Sequence, residues 1–386
     1  MTDNPANETR VTKVMTFKSG KVALSRKYRR EEVGEDLVRF ASLFQSLAAL
    51  PILPALAAQL DTELIRRSIF GTAAIEGNPL SEERVGEILA EPAMSTLRDR
   101  AEQEIANLGK AYKQFAGPPA DKSRQPFIVT EQFIQDLNRV ITADIAHEHH
   151  APGQYRDHKV EVGNKDRGGV YVPPKIRADI ATLMTAFVQW INSEEVLHEG
   201  VLVRAALAHY HLGLIHPFGD GNGRTARLLE AVIMNQEGYM YVPIIMSNFY
   251  YKNIDDYFIA FRASEKVSGG DVTPFLHFFT RILIYAVLDV QESVHGSIRM
   301  FALRDYYRFS FEVHDITRRQ YDLLLAVLSR AAAVFTRKDL HLDTHFAPIY
   351  RNVSEKTARR DLDRLEEQTL LIKSEKGYRI NPFALG

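Results

Sequence analysis

His216-Pro217-Phe218-Gly219-Asp220-Gly221-Asn222-Gly223-Arg224-Thr225-Ala226-Arg227 is the stretch from which the rest of the chain is read. It places one imidazole, one carboxylate, one amide, a glycine on either side of that amide and two guanidinium groups in fixed order. Backbone N–H groups converge on an anion only where no Cβ intervenes and positive φ is allowed, a need that Gly221 and Gly223 meet. The apolar run Ala226, Leu228, Leu229, Ala231, Val232 and Ile233 reads as a helix ending at Gly238. The glycine loop therefore lies at a helix N-terminus, where unpaired N–H groups and the macrodipole favour negative charge, and it is expected to bind phosphate groups. Arg224 and Arg227 are three apart, so they share a helix face and can grip two different phosphates. Asp220 is placed to hold Mg²⁺, which takes one or two carboxylates together with phosphate oxygens and waters. His216 has the side chain whose ordinary pKa, about 6.5, suits a general base at neutral pH.

Other nucleotide motifs are excluded. No Gly-Lys-Ser or Gly-Lys-Thr occurs, and no β-rich segment runs directly into the glycines as a dinucleotide fold requires. The length, 386 residues, suits about two or three domains, and a hydrophobic content of 45% is ample for their cores. Lys plus Arg total 48 against 49 Asp plus Glu, a formal net charge of -1, so no global field draws the protein to nucleic acid or membrane. The absence of cysteine excludes disulfides, thiolate metal sites and a Cys nucleophile. No uninterrupted apolar run reaches about 18 residues and no signal peptide opens the chain, so a soluble, cytoplasmic protein with no membrane partner is expected.

The twelve residues resemble the signature of the Fic family, His-x-Phe-x-Asp/Glu-Gly-Asn-Gly-Arg-x-x-Arg, and every fixed position is met. Members of that family typically transfer AMP from ATP to a hydroxyl side chain of another protein. The resemblance implies a protein adenylyltransferase using ATP and Mg²⁺, with a target protein bearing an exposed hydroxyl as partner. It implies His216 as base, Asp220 as magnesium ligand, Asn222 as a phosphate contact, and the backbone of Gly221 and Gly223 as the anion hole. Arg224 would hold the β-phosphate and Arg227 the γ-phosphate. Death-on-curing relatives, which phosphorylate instead, carry Lys where this chain has Gly223, and this favours nucleotidyl transfer.

A second stretch, Thr72-Ala73-Ala74-Ile75-Glu76-Gly77-Asn78, ends a periodic helix over residues 55–72, and Pro79 prevents its continuation. Thr72 and Glu76 lie on one face of the helix end. A carboxylate there opposes the macrodipole, so something else should compensate Glu76. The stretch resembles the family's inhibitory motif, Ser/Thr-x-x-x-Glu-Gly/Asn, whose glutamate pairs with the last arginine of the signature, here Arg227. Such a pair would occupy the place of the γ-phosphate, because a carboxylate satisfies the same forked donors.

The expected fold is mainly α: a Fic-type helical core with a small β-hairpin flap, plus a C-terminal winged helix-turn-helix domain. Residues 1–30 read as a polar tail, 31–115 as a helical region carrying the inhibitory motif, 116–290 as the catalytic core, 291–317 as a linker helix and 318–386 as the winged domain. Residues 160–163 and 169–173 alternate as a hairpin, and the resemblance implies a flap there, preceded by Gly153, Tyr155 and Arg156, whose edge registers a target segment by strand addition. His147, His149 and His150 read as a solvated patch, and His209 and His211 as core or supporting histidines rather than metal ligands. Asn253 and Tyr257 are candidates for an adenine pocket by resemblance, with helix packing the equal alternative. In the winged domain Lys356, Arg359, Arg360 and Arg364 punctuate the helix capped by Ser354, while Asp361, Asp363, Glu366 and Glu367 dilute their charge. DNA and protein partners both stay open for this domain, as do self-modification and a homodimer. Two other readings stay open for the whole chain: removal of AMP, with Glu76 positioning water, and a DNA-binding regulator whose core senses nucleotide.

Overall fold

The structure is a computed structural model and describes residues 10–91, 99–117, 126–146, 149–164, 169–267, 269–330 and 334–385. The chain divides into two units, Met1–Val290 and Gln291–Gly386.

The first unit begins with an antiparallel hairpin, β1 (Val11–Met15) and β2 (Lys21–Ser25), with Val11 opposite Ser25 and Met15 opposite Lys21. This corrects the expectation of a polar tail over residues 1–30. The hairpin is held from outside its own sequence. The buried Asp179 carboxylate accepts the N–H groups of Phe17, Lys18 and Ser19 at 2.7–3.3 Å and the Ser19 hydroxyl at 2.7 Å. Helices α1 (Arg30–Ala48), α2 (Pro54–Ile75), α3 (Glu82–Ala90) and α4 (Arg100–Phe115) follow. The next helix, α5 (Glu131–Ile141), is capped by Thr130, whose Oγ1 accepts from the Phe133 N–H.

The expected flap hairpin is β3 (Val162–Asn164) paired with β4 (Gly169–Tyr171). Beyond it come α6 (Arg177–Ile191), the one-turn α7 (Glu194–Leu197) and α8 (Val201–Ile215). Because α8 is apolar on nearly all sides it is buried, and it packs against α9 (Asn222–Gln236), the helix that the glycine loop opens. The unit closes with α10 (Val242–Lys252), which lies along α2, then α11 (Ile254–Lys266) and the long α12 (Thr273–Glu312). The break between α10 and α11 falls at Asn253, whose Nδ2 donates to the Phe249 carbonyl at 2.9 Å and so closes α10 inside a stretch that reads as one helix. By length and hydropathy α12 would cross a membrane, but 67% of its apolar window is buried inside the protein.

The core of the second unit gathers Leu303 and Tyr307 of α12 with side chains from α13 (Arg318–Leu328), α14 (Asp339–Leu342), α15 (Ala347–Tyr350) and α16 (Glu355–Glu367). The wing is β5 (Leu371–Ser374) paired with β6 (Gly377–Ile380), so the order is helix, helices, helix and hairpin, as expected. Thr317 and Gln320 form a reciprocal capping box on α13, and Ser354 caps α16. One acid counted against the basic face of α16 does not lie on it. Asp361 is buried, accepting from Arg319 Nε at 2.6 Å and from the Tyr350 hydroxyl at 3.2 Å, while Lys356, Arg359 and Arg360 are exposed.

Candidate functional site

The signature residues occupy the loop from α8 to α9. His216 ends α8 in the left-handed region (φ 50, ψ 57), and Gly221 turns the chain at φ 76, where an added Cβ would lie 2.7 Å from Thr142 Cγ2. No side chain caps α9, so the N–H groups of its first turn are left to an acceptor from outside the helix, which an anion would supply. Asn222 is held by its own loop. Its Oδ1 accepts from the Phe218 N–H and its Nδ2 donates to the Phe218 carbonyl, both at 2.8 Å, so the amide clamps the loop. The physical reason is local: in a tight turn a buried amide satisfies neighbouring backbone groups that would otherwise be orphaned. Asn138 of α5 braces the same loop, donating to the Asp220 carbonyl at 2.9 Å and accepting from the Gly153 N–H at 3.0 Å.

Asp220 accepts through Oδ1 from the Gly221 N–H at 2.6 Å and from Arg224 Nη2 at 2.7 Å. Its other oxygen lies 3.5 Å from Arg100 Nη2. Burial works against the Asp220 charge, but the Arg224 guanidinium and the Gly221 N–H outweigh it and hold the carboxyl below the usual range. One ionised carboxylate with an oxygen this loosely held suits Mg²⁺ that arrives on phosphates. Among the described residues no group of three or more His, Cys, Asp or Glu side chains could hold a metal without them.

The two arginines differ in what they hold. Arg224 is buried, and its Nε and Nη1 have no hydrogen-bond partner among the described residues; Glu104 approaches Nη1 only to 3.8 Å. Arg227, equally buried, is occupied: Nε donates to Thr72 Oγ1 at 2.8 Å, and Nη2 donates to the Thr72 carbonyl at 3.3 Å and to Glu76 Oε1 at 2.6 Å. Thr72 and Glu76 thus meet one guanidinium from the end of α2. Burial by itself would raise the Glu76 pKa, but the Arg227 and Arg224 guanidiniums keep it below the usual carboxylate range. Gly223 lies directly beneath: a Cβ there would collide with Glu76 Oε1 and lie 3.0 Å from Arg227 Nη1, so this pair also requires the glycine.

A cavity of about 310 Å³ joins these groups, lined by His216, Glu76, Gly223 and Arg227, by Val162 and Gly163 of the flap, and by Tyr257, Phe258 and Phe261 of α11. Of the two adenine candidates, Tyr257 lines the cavity, while Asn253 is the helix break described above. Burial pushes the His216 imidazole down to about 4, so it is neutral at neutral pH. With Nδ1–H donating to the Gly213 carbonyl at 3.3 Å, the proton-accepting position is Nε2.

Arg156 acts on this site in a way its sequence position did not reveal. Its buried guanidinium donates to the carbonyls of His216 (2.8 Å), His158 (2.6 Å) and Pro174 (2.7 Å), tying the end of α8 to both sides of the flap. The pattern of Gly153, Tyr155 and Arg156 was the available signal. His209 and His211 are supporting residues as read: His209 bridges Glu230 at 2.6 Å and the Tyr257 hydroxyl at 2.9 Å, and His211 bonds the Ser25 carbonyl at 2.8 Å. In the histidine patch His147 lies outside the described residues and His149 is exposed, but His150 is half-buried and bonds Thr142 Oγ1 at 2.8 Å.

Comparison with known proteins follows this geometry. Residues 128–234 match the Fic/DOC family, and residues 341–382 match a DeoR-like helix-turn-helix domain. The protein adenylyltransferase Fic of Culex quinquefasciatus is 30% identical over 265 residues, covering 66% of this chain and 48% of that protein. Its namesake in Nematostella vectensis is 33% identical over 220 residues, covering 55% and 45%. The chain thus spans about half the length of the curated relatives it matches. A crystal structure of a Fic family protein from Desulfovibrio desulfuricans G20 superposes with a TM-score of 0.53 at 19% identity, covering 98% of this chain and 97% of that one, a likeness of fold.

Proposed function

Since the chain carries a Fic domain and a helix-turn-helix domain, we propose that it is an auto-inhibited protein adenylyltransferase, moving AMP from Mg-ATP to a Ser, Thr or Tyr hydroxyl of a target protein or of itself. The observation that carries the reading is the contrast between the arginines: Arg224 has buried donors without partners, whereas Arg227 is filled by Thr72 and Glu76. A triphosphate would bring the missing acceptors to the first and compete with a carboxylate for the second.

In the proposed reaction the target hydroxyl oxygen bonds to the α-phosphorus of ATP and the bond from that phosphorus to the bridging oxygen of pyrophosphate breaks. The hydroxyl proton passes to His216 Nε2, and pyrophosphate leaves. Mg²⁺ held at Asp220 would supply neutralisation of phosphate charge. The N–H groups opening α9 and the two buried guanidiniums would stabilise the leaving group, where negative charge develops. With Glu76 on Arg227, the γ-phosphate lacks its guanidinium and the α-phosphorus is not in line with the acceptor. Incorporation of label from α-labelled ATP by wild type, Glu76→Gly and Glu76→Gly/His216→Ala tests this. Label that rises in the single variant and vanishes in the double is expected, and no label in any of the three refutes it.

For the second unit, the inward turn of Asp361 supports DNA as the partner, because it leaves Lys356, Arg359 and Arg360 on the exposed face of α16.

A further inference from the structure

A second and larger cleft, about 530 Å³, lies on the other side of the flap from the catalytic cavity. The two share their walls. On α8, His209, Gly213 and His216 line the cavity, while Tyr210, His211 and Leu214 line the cleft. On the flap, Val162 lines the cavity and is paired in register with Tyr171, which lines the cleft. One helix and one strand therefore separate the two, a span of about 10 Å that roughly three extended residues cover.

The far wall of the cleft is the β1–β2 hairpin, and its charge is one-sided. Lys18, Lys21 and Lys175 line it and are exposed, and none of their ammonium groups has an ion-pair or hydrogen-bond partner among the described residues. The one carboxylate in the lining, Glu265, is paired with Arg262 at 2.5 Å. On the floor, the Nε2 of buried His211 meets both the N–H of Ser25 at 3.1 Å and its carbonyl at 2.8 Å, and Nδ1 has no hydrogen-bond partner among the described residues. The hairpin tip is fixed by four donors from Phe17 to Ser19 that bond the Asp179 carboxylate, yet it presents Phe17 at 84% exposure. Fixing an aromatic side chain in solvent beside unpaired lysines is of no use to the fold, whereas rigid aromatic and cationic groups are what a protein-docking surface needs.

We propose that this cleft is the docking site for an acidic stretch of the target protein that flanks the modified hydroxyl, with Lys18, Lys21 and Lys175 pairing its carboxylates and Phe17 packing at the rim. The inference rests on the adenylyltransferase reading, and it supplies the substrate selection that strand addition on a flap leaves open, since backbone pairing reads no side chain.

The test uses the full chain and fluorescent peptides carrying one serine with a block of glutamates on its N-terminal or C-terminal side, each with a matched glutamine peptide. Binding is read by anisotropy at low and at physiological salt, and labelling from α-labelled ATP is read with Glu76→Gly. At least one glutamate peptide should bind more tightly than its glutamine match. That advantage should shrink about tenfold in Lys18→Glu/Lys21→Glu/Lys175→Glu, since each exposed ion pair is worth roughly a factor of two, while the melting temperature stays unchanged. Asp179→Asn, which loosens the hairpin tip and leaves the lysine side chains unchanged, should lose part of the same advantage. Equal binding of glutamate and glutamine peptides, or an advantage that survives the triple substitution, overturns the docking site. Lysine-dependent binding without any AMP transfer overturns the catalytic reading instead and leaves the docking site standing.

Discussion

Replacing Glu76 should release the enzyme in two measurable steps, because the side chain acts on the site by charge and by bulk. Glu76 Oε1 lies 2.6 Å from Arg227 Nη2; the arginine is 2% exposed, and the glutamate side chain 36%. Separating a fully buried pair costs about 3–5 kcal/mol, an upper bound here because the carboxylate faces the open cavity. A charge-assisted hydrogen bond of about 2 kcal/mol is the better measure. Any γ-phosphate must displace that bond, so its removal should raise AMP transfer about thirtyfold at subsaturating ATP. Glu76→Gln keeps an oxygen against Arg227 and keeps the bulk over Gly223, losing only the charge, so it should give about fivefold. Glu76→Gly loses both and should give the full increase.

The assay is the initial rate of incorporation from α-labelled ATP, with Glu76→Gly/His216→Ala as the blank. Melting curves add an independent reading. Without Glu76 the buried Arg227 keeps Thr72 and Tyr257 but loses its carboxylate, so the nucleotide-free variant should melt below wild type, and ATP should raise its melting temperature by more than it raises that of wild type. The order Gly above Gln above wild type is the signature of the reasoning. Equal rates in all three, with equal stabilisation by ATP, would refute it.

Other consequences follow from single contacts. His216 is held down at about 4 against an ordinary value of about 6.5, so transfer by Glu76→Gly should stay flat as pH falls from 8 to about 5.5; a half-loss at about 6.5 would contradict the burial argument. The same depression contributes stability that is fully present above about 6.5 and is lost as pH falls towards 4, because the unfolded chain takes up the proton first; urea midpoints across that window check the sign. Arg156→Lys would leave two of the three buried carbonyls of His216, His158 and Pro174 without a donor, at about 2 kcal/mol or more; kcat should fall while the KM for ATP holds, and a KM effect alone would count against a positioning role. In the second unit, Arg359→Ala/Arg360→Ala should lower the slope of log affinity against log salt by about 1.8 on duplex DNA; an unchanged slope would remove α16 from the interface.

What the sequence made legible was what lies close together along it. His216 to Arg227 and the helix beginning at Asn222 could be read because loop, cap and helix are neighbours in the chain, and glycine spacing alone set the anion site. Asn222 was found but its contact was not, since an amide in a turn can face a ligand or its own backbone and the spacing is the same for both. The β1–β2 hairpin was missed because its anchor, Asp179, is more than 150 residues away and its strands alternate weakly. Asp361 was misread for a similar reason: helix spacing places it on a face, but only the position of Arg319 and Tyr350 decides that this face is internal. The pairing of Glu76 with Arg227, 151 residues apart, could be anticipated from the family resemblance and from no local pattern.

Under the proposed auto-inhibition, the position of Glu76 would let inhibition be lifted without unfolding α2. A glutamate at a helix C-terminus opposes the macrodipole, so the helix end is strained unless a cation compensates it. Arg227 does so here, and a phosphate that claims Arg227 removes that compensation. Yet the helix end does not depend on Glu76 to stay in place. The Asn78 N–H bonds the Ala73 carbonyl at 3.1 Å, and Asn78 Nδ2 donates to the Ala101 carbonyl and to Glu104 Oε2, both at 3.0 Å, which pins the turn to α4. Gly77, at φ 86, supplies the left-handed residue that this closure needs. The carboxylate can therefore leave Arg227 by side-chain rotation alone, into a cavity it already faces, while the backbone that carries it stays fixed. An inhibitory contact built this way is reset as soon as the phosphate departs, because no segment has to refold before Glu76 can return.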